Sequence, residues 1–319
     1  MAVGYSVRER HWLGLFLLGA LLTHAAVTPP ASAAEALPAG GLQFALQPGL
    51  AIEEAEIGIS VSSIKLTYRL INTGKSARSA VIAFALPEID RFSFGDDGGF
   101  STLRDPVNLV GAITVVDGQP VVLRAQQRAY ALGLDVTSAI SQAKLSLLPI
   151  DPGLVPQIAA LPPDTTVDFA ERGILQYEDG KPRAGWSLQT TGHWRQTLQP
   201  AKTIVIEHTY TPLIGTQPLT EQAIARAIDR ACLSTIAAET LRRRMLEPNP
   251  PQMTTVIMQH ANVLGQEPAR RMSVRVDVPD GTIAATTCLE PLARPDGKTL
   301  VWSSQPALIE QDIAVIFVK

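Results

Sequence analysis

The sequence predicts a mainly β protein of the α+β type, with β-sandwich-like antiparallel sheets and inserted helices. Apolar and polar residues alternate with a period of two over several segments, as in half-buried strands. Turn sequences such as Asn72-Thr73-Gly74-Lys75 and Asp117-Gly118 separate these segments, since Asn, Asp and Gly tolerate the positive φ of tight turns. Short strands joined by such turns favour a sandwich. Other stretches have helical spacing and capping residues.

The first β region is predicted over residues 34–125, as an N-terminal β-sandwich-like domain. One of its strands stops at Pro87, which lacks the N–H that a ladder needs. Its last two strands flank Asp117-Gly118 and therefore form a hairpin. The expected strands are Ile57–Val61, Ile64–Leu70, Ala80–Leu86, Ala112–Val116 and Pro120–Leu123.

A helical connector is predicted over residues 126–185, where Ala, Leu and Gln replace the alternating pattern. Thr137 or Asp135 is placed to cap a helix over Ser138–Leu145. A second short helix over Leu154–Leu161 would end at the following pair of prolines.

The remaining residues, 186–319, are predicted to form a C-terminal β portion with one inserted long helix over about 220–246. Thr220 would open this helix, and Ile224, Ile228 and Cys232 would share one face because they are four residues apart. The expected strands are Trp186–Leu198, Thr203–Tyr210, Val274–Val278, Leu300–Ser303 and Ile313–Val318.

The first 33 residues read as a signal peptide, so we expect a periplasmic or secreted protein. Arg8 and Arg10 precede the uncharged apolar run Trp12–Leu22, and Ala31-Ser32-Ala33 follows as an A-x-A cleavage site. A membrane anchor is the alternative, but a spanning helix needs roughly 20 apolar residues and this run is shorter. We therefore expect cleavage after Ala33 and no membrane span in the remaining chain.

Composition excludes several classes of protein. The chain is 46% hydrophobic and 18% charged, which is too apolar for a disordered protein. Its net charge is −3, so a nucleic-acid partner is not expected.

Several segments resemble the bacterial exported family known as domain of unknown function 4424. The block Phe84-Ala85-Leu86-Pro87-Glu88-Ile89-Asp90 resembles the family's F-P-L-P-D-I-D block, with Ala85 in place of its first proline. The run Asn262–Gly265 departs from the family's usual Asn-Trp and Gly-Pro. The resemblance implies export and a β-rich fold, but supplies no reaction or catalytic residue. The other matching pieces are Gly40-Gly41-Leu42, Tyr68-Arg69 with Asn72, Val116–Val121, Trp194, His208-x-Tyr210-x-Pro212-x-x-Gly215 and both cysteines.

A fainter similarity is to β domains of the vault and inter-α-trypsin-inhibitor type. In those domains a Leu-Pro block and a D-G hairpin precede a helix start, which would here be Gln127–Tyr130. It supports the β-rich fold only.

Cys232 and Cys288 are the only cysteines, and an oxidising compartment would join them in one structural disulfide. Redox catalysis is the rival interpretation, but the chain has no C-x-x-C motif.

His193 and His208 offer an outside possibility of a metal site. If Gln199–Lys202 is a hairpin loop, the two histidines lie opposite each other with Cβ atoms about 5 Å apart. Two imidazoles at that spacing could hold zinc or copper. A slip of one residue in the register separates them, so we predict no metal and no other cofactor.

The function that these observations favour is a non-catalytic binding or scaffold module of the cell envelope, because no catalytic motif occurs. Trp194, His208 and Tyr210 are the candidate binding residues, for an envelope protein or ligand that the sequence does not identify. The alternative is a hydrolase of an envelope polymer, acting through carboxylates such as Glu88, Asp90 or Glu207. Whether the protein is an enzyme stays open, with binding preferred.

Overall fold

The computed structural model describes residues 36–46, 48–93, 105, 107–259, 269–290, 293, 297–305 and 312–319. The predicted signal peptide, 1–33, and the run 262–265 lie outside these residues. In chain order the strands and helices are β1 Ala39–Gly40, β2 Leu42–Ala45, β3 Leu50–Ile59, β4 Ile64–Asn72, β5 Arg78–Ala85, β6 Ile113–Val116, β7 Gln119–Val121, β8 Arg124–Ala131, β9 Leu134–Asp135, α1 Thr137–Gln142, α2 Leu154–Ala159, α3 Pro163–Glu171, β10 Leu175–Glu178, β11 Lys181–Ala184, β12 Ser187–Leu198, β13 Thr203–Tyr210, β14 Gly215–Pro218, α4 Glu221–Ala231, α5 Thr235–Met245, β15 Gln252–Gln259, β16 Arg271–Asp277, β17 Ala284–Thr286, β18 Thr299–Ser304 and β19 Ile313–Val318.

Two sheets face each other and enclose the main core, so the predicted mainly β fold with inserted helices is confirmed. Sheet I has the strand order β2-β5-β12-β8-β9, and sheet II has the order β18-β16-β3-β4-β13-β6-β7. Pairing within both sheets is antiparallel except between β16 and β3, which are parallel. The Phe84 ring of sheet I lies 4.4 Å from the His208 ring of sheet II, and Phe44 lies 5.0 Å from Tyr68.

A third sheet, sheet III, has the order β1-β15-β19-β17, with β14 paired to β15. Both faces of β19 are buried, which explains its uninterrupted apolar sequence. Ile313, Val315 and Phe317 belong to the main core, whereas Ala314 and Ile316 pack with the apolar faces of α4 and α5. Sheet III therefore joins the sandwich core to a layer of helices.

Strands from the two predicted β regions mix within the same sheets. β3 and β4 come from the first region, and they share sheet II with β13, β16 and β18 from the second. The insert between them, residues 126–185, contains helices as predicted, but also β8 to β11. Gln127–Tyr130 lies in β8 and does not begin a helix. The helix α3 was not predicted, because Pro163 was interpreted as a terminator although proline suits the first helical position.

The long helix predicted over about 220–246 is instead two helices, α4 and α5. Thr220 does cap the first, accepting a hydrogen bond from the Ala223 N–H at 3.1 Å. Cys232 then takes a left-handed conformation with φ 52°, and Ser234 caps the second helix. The predicted disulfide is present: Cys232 is bonded to Cys288, and thereby ties the break between the helices to the segment after β17.

The prediction that a hairpin joins β12 to β13 is wrong, because these strands lie in different sheets. β12 pairs with β5 and β8, whereas β13 pairs with β4 and β6. The fully buried Asn72, at the end of β4, fixes the position of the loop that joins β12 to β13. Its backbone N–H donates to the Lys202 carbonyl at 3.0 Å, and its Nδ2 donates to the Leu198 carbonyl at 3.0 Å. The loop is thereby held against β4, which brings β13 beside that strand.

Candidate ligand-binding site

The predicted binding residues Trp194, His208 and Tyr210 all lie in the sandwich core, with 5%, 0% and 2% of their surface exposed. The His208 Nδ1 is 2.8 Å from the Thr114 Oγ1, and the Tyr210 hydroxyl donates to the Ala39 carbonyl at 3.3 Å. Phe84 contacts both rings, at 4.4 Å and 5.0 Å. The structure therefore brings His208 and Tyr210 together, but as buried core residues.

Burial also determines the ionisation of this cluster. Desolvation lowers the pKa of His208 from 6.5 to about 4, because the charged imidazolium loses its hydration inside the core. The same cause raises the pKa of Tyr68 and of Tyr210 above the ordinary range for tyrosine. At neutral pH all three side chains are uncharged.

The structure separates the two histidines of the possible metal site. His193 lies on β12 opposite Ala83 and Arg124, whereas His208 lies on β13 opposite Leu66 and Thr114. The facing arrangement failed because it required β12 and β13 to be hairpin partners. Within the described part of the chain, no group of three or more His, Cys, Asp or Glu residues is placed to hold a metal ion.

The three candidate carboxylates divide between two places. Glu207 lies on β13 in sheet II, with an exposed side chain. Glu88 and Asp90 follow β5 in sheet I, and both line a single cleft. The structure thus gathers two of the three candidate carboxylates.

Backbone pairing explains why Glu88 points into the cleft. β5 pairs with β12 as far as Ala85, and after a gap at Pro87 the N–H of Ile89 donates to the Leu188 carbonyl at 2.9 Å. Leu86 and Ile89 are buried, and Glu88 between them is exposed. The side chain of Glu88 therefore points away from the core and into the cleft, whereas those of Leu86 and Ile89 point into the core.

Two residues of β12 hold the Glu88 carboxylate in place. The Ser187 Oγ donates to Oε1, and the Gln189 Nε2 donates to Oε2 at 3.0 Å. Both donors reach the same carboxylate because residues two apart on a strand share one face. An ionised carboxylate has about four lone-pair sites, so this one can accept further hydrogen bonds from a ligand.

The cleft around Glu88, which we call the insert cleft, has a volume of about 540 Å³. One wall is the segment from Glu88 to Phe92, and the other comes from the insert at Leu132, Gly133 and Gln176. Its size falls within the roughly 300–1,000 Å³ of small-molecule sites. Tyr130 and the buried Trp186 also line it.

The charge of the insert cleft is dominated by carboxylates. Arg91 lines it, but its Nη1 lies 2.6 Å from the Glu178 Oε2, so an ion pair neutralises this cation. The Asp90 Oδ1 accepts from the Phe92 N–H and the Ser93 hydroxyl, both at 2.8 Å, and so fixes its own turn. Among the described lining residues, Glu88 is therefore the carboxylate whose two oxygens each accept from β12, whereas Asp90 is used in its own turn.

Phe92 adds an aromatic surface to the same wall. Its ring is 64% exposed, and the guanidinium carbon of Arg91 lies 4.1 Å from its centroid. The ring thus already binds one cation through its π face. Sequence reasoning identified Glu88 and Asp90 but missed Phe92, Ser187 and Gln189, although the period of two in β12 places Ser187 and Gln189 on one face.

Comparisons with known proteins give one family and distant structural likenesses. A family model described as "Domain of unknown function (DUF4424)" matches residues 31–264. A comparison with curated proteins finds no match. None of the helices in the described residues is long and apolar enough to cross a membrane.

Among solved structures, a Legionella pneumophila protein described as a candidate nutrient binding protein is 11% identical, with a TM-score of 0.45. The match covers 89% of this chain and 71% of that one. A two-domain M1 zinc metallopeptidase is 9% identical with a TM-score of 0.26, and one from Deinococcus radiodurans is 10% identical with a TM-score of 0.24. The matches cover 85% of this chain but only 43% of each peptidase chain, and at these scores none of the likenesses carries an argument about function.

Proposed function

The chain belongs to the family described as Domain of unknown function (DUF4424), and from this premise we propose that it is an exported, non-catalytic module of the cell envelope that binds a small organic cation in the insert cleft. The observation that carries the proposal is the Glu88 carboxylate, which Ser187 and Gln189 hold in an open cleft of about 540 Å³. A fixed carboxylate binds an ammonium group without first having to be ordered.

Two features favour a cation over an anion or a neutral ligand. Glu88 and Asp90 line the cleft, while the cationic Arg91 is already paired with Glu178. Arg91 lies over one face of the exposed Phe92 ring, so a ligand cation would bind the opposite face, where such contacts contribute about 0.5–2 kcal/mol. An anion would meet the two carboxylates, and a neutral diol could donate a hydrogen bond to Glu88 but would lack the positive charge that attracts a cation to it.

The positions and hydrogen bonds of the carboxylates favour binding over hydrolysis. A glycosidase needs two carboxyl groups that face each other across the substrate. Asp90 accepts two hydrogen bonds within its own turn, and Glu207 lies on sheet II away from the lining of the cleft. The alternative of an envelope-polymer hydrolase therefore has less support.

Calorimetric titration of the mature protein with 1,5-diaminopentane tests the ligand class. We expect the diamine to bind more tightly than 1,5-pentanediol, and glutarate not to bind, since the three differ only in their end groups. Glu88→Gln should weaken the diamine at least 10-fold, because hydrogen bonds to charged groups contribute about 1.5–3 kcal/mol. The matched control, Glu207→Gln, removes an exposed carboxylate outside the cleft and should leave the affinity unchanged. Equal binding of diamine and diol, or equal effects of the two variants, would contradict the proposal.

Export has its own test. Expression of the whole chain in a Gram-negative host should give a periplasmic protein whose mass corresponds to an N-terminus at Ala34, because the signal would be removed after Ala33. A cytoplasmic protein that retains residues 1–33 would contradict export without affecting the binding proposal.

A further inference from the structure

A second cavity lies between sheets I and II, where the β6–β7 hairpin approaches β8 and β12. It has a volume of about 360 Å³, and its lining includes Phe84, Thr114, Leu123, Ala125 and Gly192. We call it the inter-sheet cavity. Among the residues that the structure describes, it shares no lining residue with the insert cleft.

β12 has a glycine, Gly192, at an inward position in the wall of the inter-sheet cavity. Thr190, Gly192 and Trp194 alternate with less buried residues and face the other sheet. A Cβ at Gly192 would meet the Leu123 Cδ1 at 3.1 Å, so a larger residue there would displace the Leu123 side chain. The absent side chain at Gly192 leaves room for the Leu123 side chain, which forms one wall of the cavity.

The polar side chains of the lining are already engaged within the protein. The Asn108 Nδ2 donates to the Ala112 carbonyl at 3.1 Å, and its Oδ1 accepts from the Ala112 N–H at 2.7 Å. The Thr114 Oγ1 is 2.8 Å from the His208 Nδ1 behind the wall. Asp105 is exposed, and its Oδ1 accepts from the Val107 N–H at 2.8 Å. A polar ligand would therefore find few hydrogen-bond partners inside the cavity, whereas an apolar ligand needs no such partners.

The rim is also apolar. Ile113 and Val107 line the cavity with 64% and 40% of their surface exposed, and the nearby Val122 is 89% exposed. Contiguous exposed apolar residues often mark a ligand groove or an interface. Here they continue into a partly open cavity between the sheets, which indicates a ligand with an apolar part that enters there.

We propose that the inter-sheet cavity binds a linear aliphatic chain with a neutral head group, such as a fatty alcohol. An apolar cavity of about 150 Å³ binds benzene, so 360 Å³ corresponds to a chain on the order of ten carbon atoms. Asp105 is the charged residue among the described lining and lies at an exposed position, which disfavours a carboxylate head.

Titration with 1-decanol, followed by calorimetry at several temperatures, tests this site. We expect saturable binding with a negative heat-capacity change, the marker of buried apolar surface. Ala125→Trp should weaken binding at least 10-fold, because it places an indole in the wall at an exposed position that tolerates bulk. The matched control is Gln126→Trp, the next residue on the same strand, whose side chain points to the opposite face and should leave the affinity unchanged.

Two further measurements complete the test. Equal melting temperatures for the two tryptophan variants would show that a loss of binding does not come from a loss of folding. If the melting temperature falls only in Ala125→Trp, the binding test is made with Ile113→Asp, which changes the exposed rim of the cavity. Glu88→Gln should leave decanol binding unchanged, which separates this site from the insert cleft. Non-saturable binding, equal loss in the two tryptophan variants, or tighter binding of decanoate than of decanol would overturn the proposal.

Discussion

The surroundings of His208 and of Glu88 show how burial changes what a polar side chain can do. Both groups lie beside a hydroxyl, that of Thr114 for His208 and that of Ser187 for Glu88. His208 is fully buried against Phe84, and its pKa falls to about 4, whereas Glu88 is exposed in a cleft. The first environment makes a reactive residue type part of the core. The second keeps a carboxylate fixed and accessible.

The largest expected effect is on the core side of this comparison. Phe84→Ala should lower the free energy of unfolding by about 4 kcal/mol, because it removes a buried ring that contacts His208 and Tyr210. Urea denaturation measures this change. Val81→Ala on the same strand is the control, since Val81 is 39% exposed and should cost much less. Similar costs for the two variants would mean that the sheets are not packed as described.

The pH dependence of stability should identify His208 as buried and neutral. The unfolded chain protonates this imidazole below its ordinary pKa of about 6.5, but the folded protein keeps it neutral down to about 4. The unfolded state therefore binds more protons between these values, and stability falls as the pH falls through this window, by about 3 kcal/mol in total. Above pH 6.5 this group contributes no pH dependence.

His208→Asn provides the comparison, because an amide does not titrate in this range. The variant is expected to be less stable overall, but to lose less stability than the wild type between pH 6.5 and pH 4. Parallel stability curves for the two proteins would mean that His208 is hydrated in the native state.

A smaller effect is expected for the ion pair beside the cleft. Arg91→Ala removes the pair with Glu178 and should lower the free energy of unfolding by about 1 kcal/mol, since the Glu178 side chain is 50% exposed, although that of Arg91 is only 18% exposed. The difference from wild type should shrink in high salt, which screens exposed pairs. A loss as large as that of Phe84→Ala would show that this wall is as tightly packed as the core.

The smallest effect on stability is expected for Glu88→Gln. Glu88 is exposed, so we expect the free energy of unfolding to stay within about 0.5 kcal/mol of wild type. Thermal denaturation checks this, and the same variant should still lose its affinity for the diamine. A large loss of stability would make Glu88 a structural residue and would remove the contrast with His208.

Local patterns allowed much of the fold to be predicted. The alternation in β4 and β13 and the cap at Thr220 are confirmed because they depend on neighbouring residues. The partners of β12 were not predictable, because the contact of Asn72 with Leu198 joins residues far apart in sequence. The break at Cys232 was missed although its disulfide was predicted, because the spacing of Ile224, Ile228 and Cys232 fits one continuous helix while the backbone at Cys232 is left-handed.

Local patterns also singled out two of the residues that line the insert cleft, as carboxylates of the alternative hydrolase. Glu88 and Asp90 stood out because they follow a strand that ends at a proline. His208, Trp194 and Tyr210 stood out by residue type, but residue type does not reveal that two sheets would enclose them. The insert wall, with Leu132 and Gln176, depends on tertiary packing of the segment 126–185, which no local pattern specifies.

The most direct test is a two-dimensional ¹⁵N NMR titration of the protein without residues 1–33, using 1,5-diaminopentane. We expect saturable shifts at the backbone amides of Glu88, Phe92, Ser187 and Gln189, with the amides of His208 and Trp194 unchanged. Shifts centred on His208 and Trp194, or no saturable shifts around Glu88, would contradict the claim that the insert cleft is the ligand-binding site.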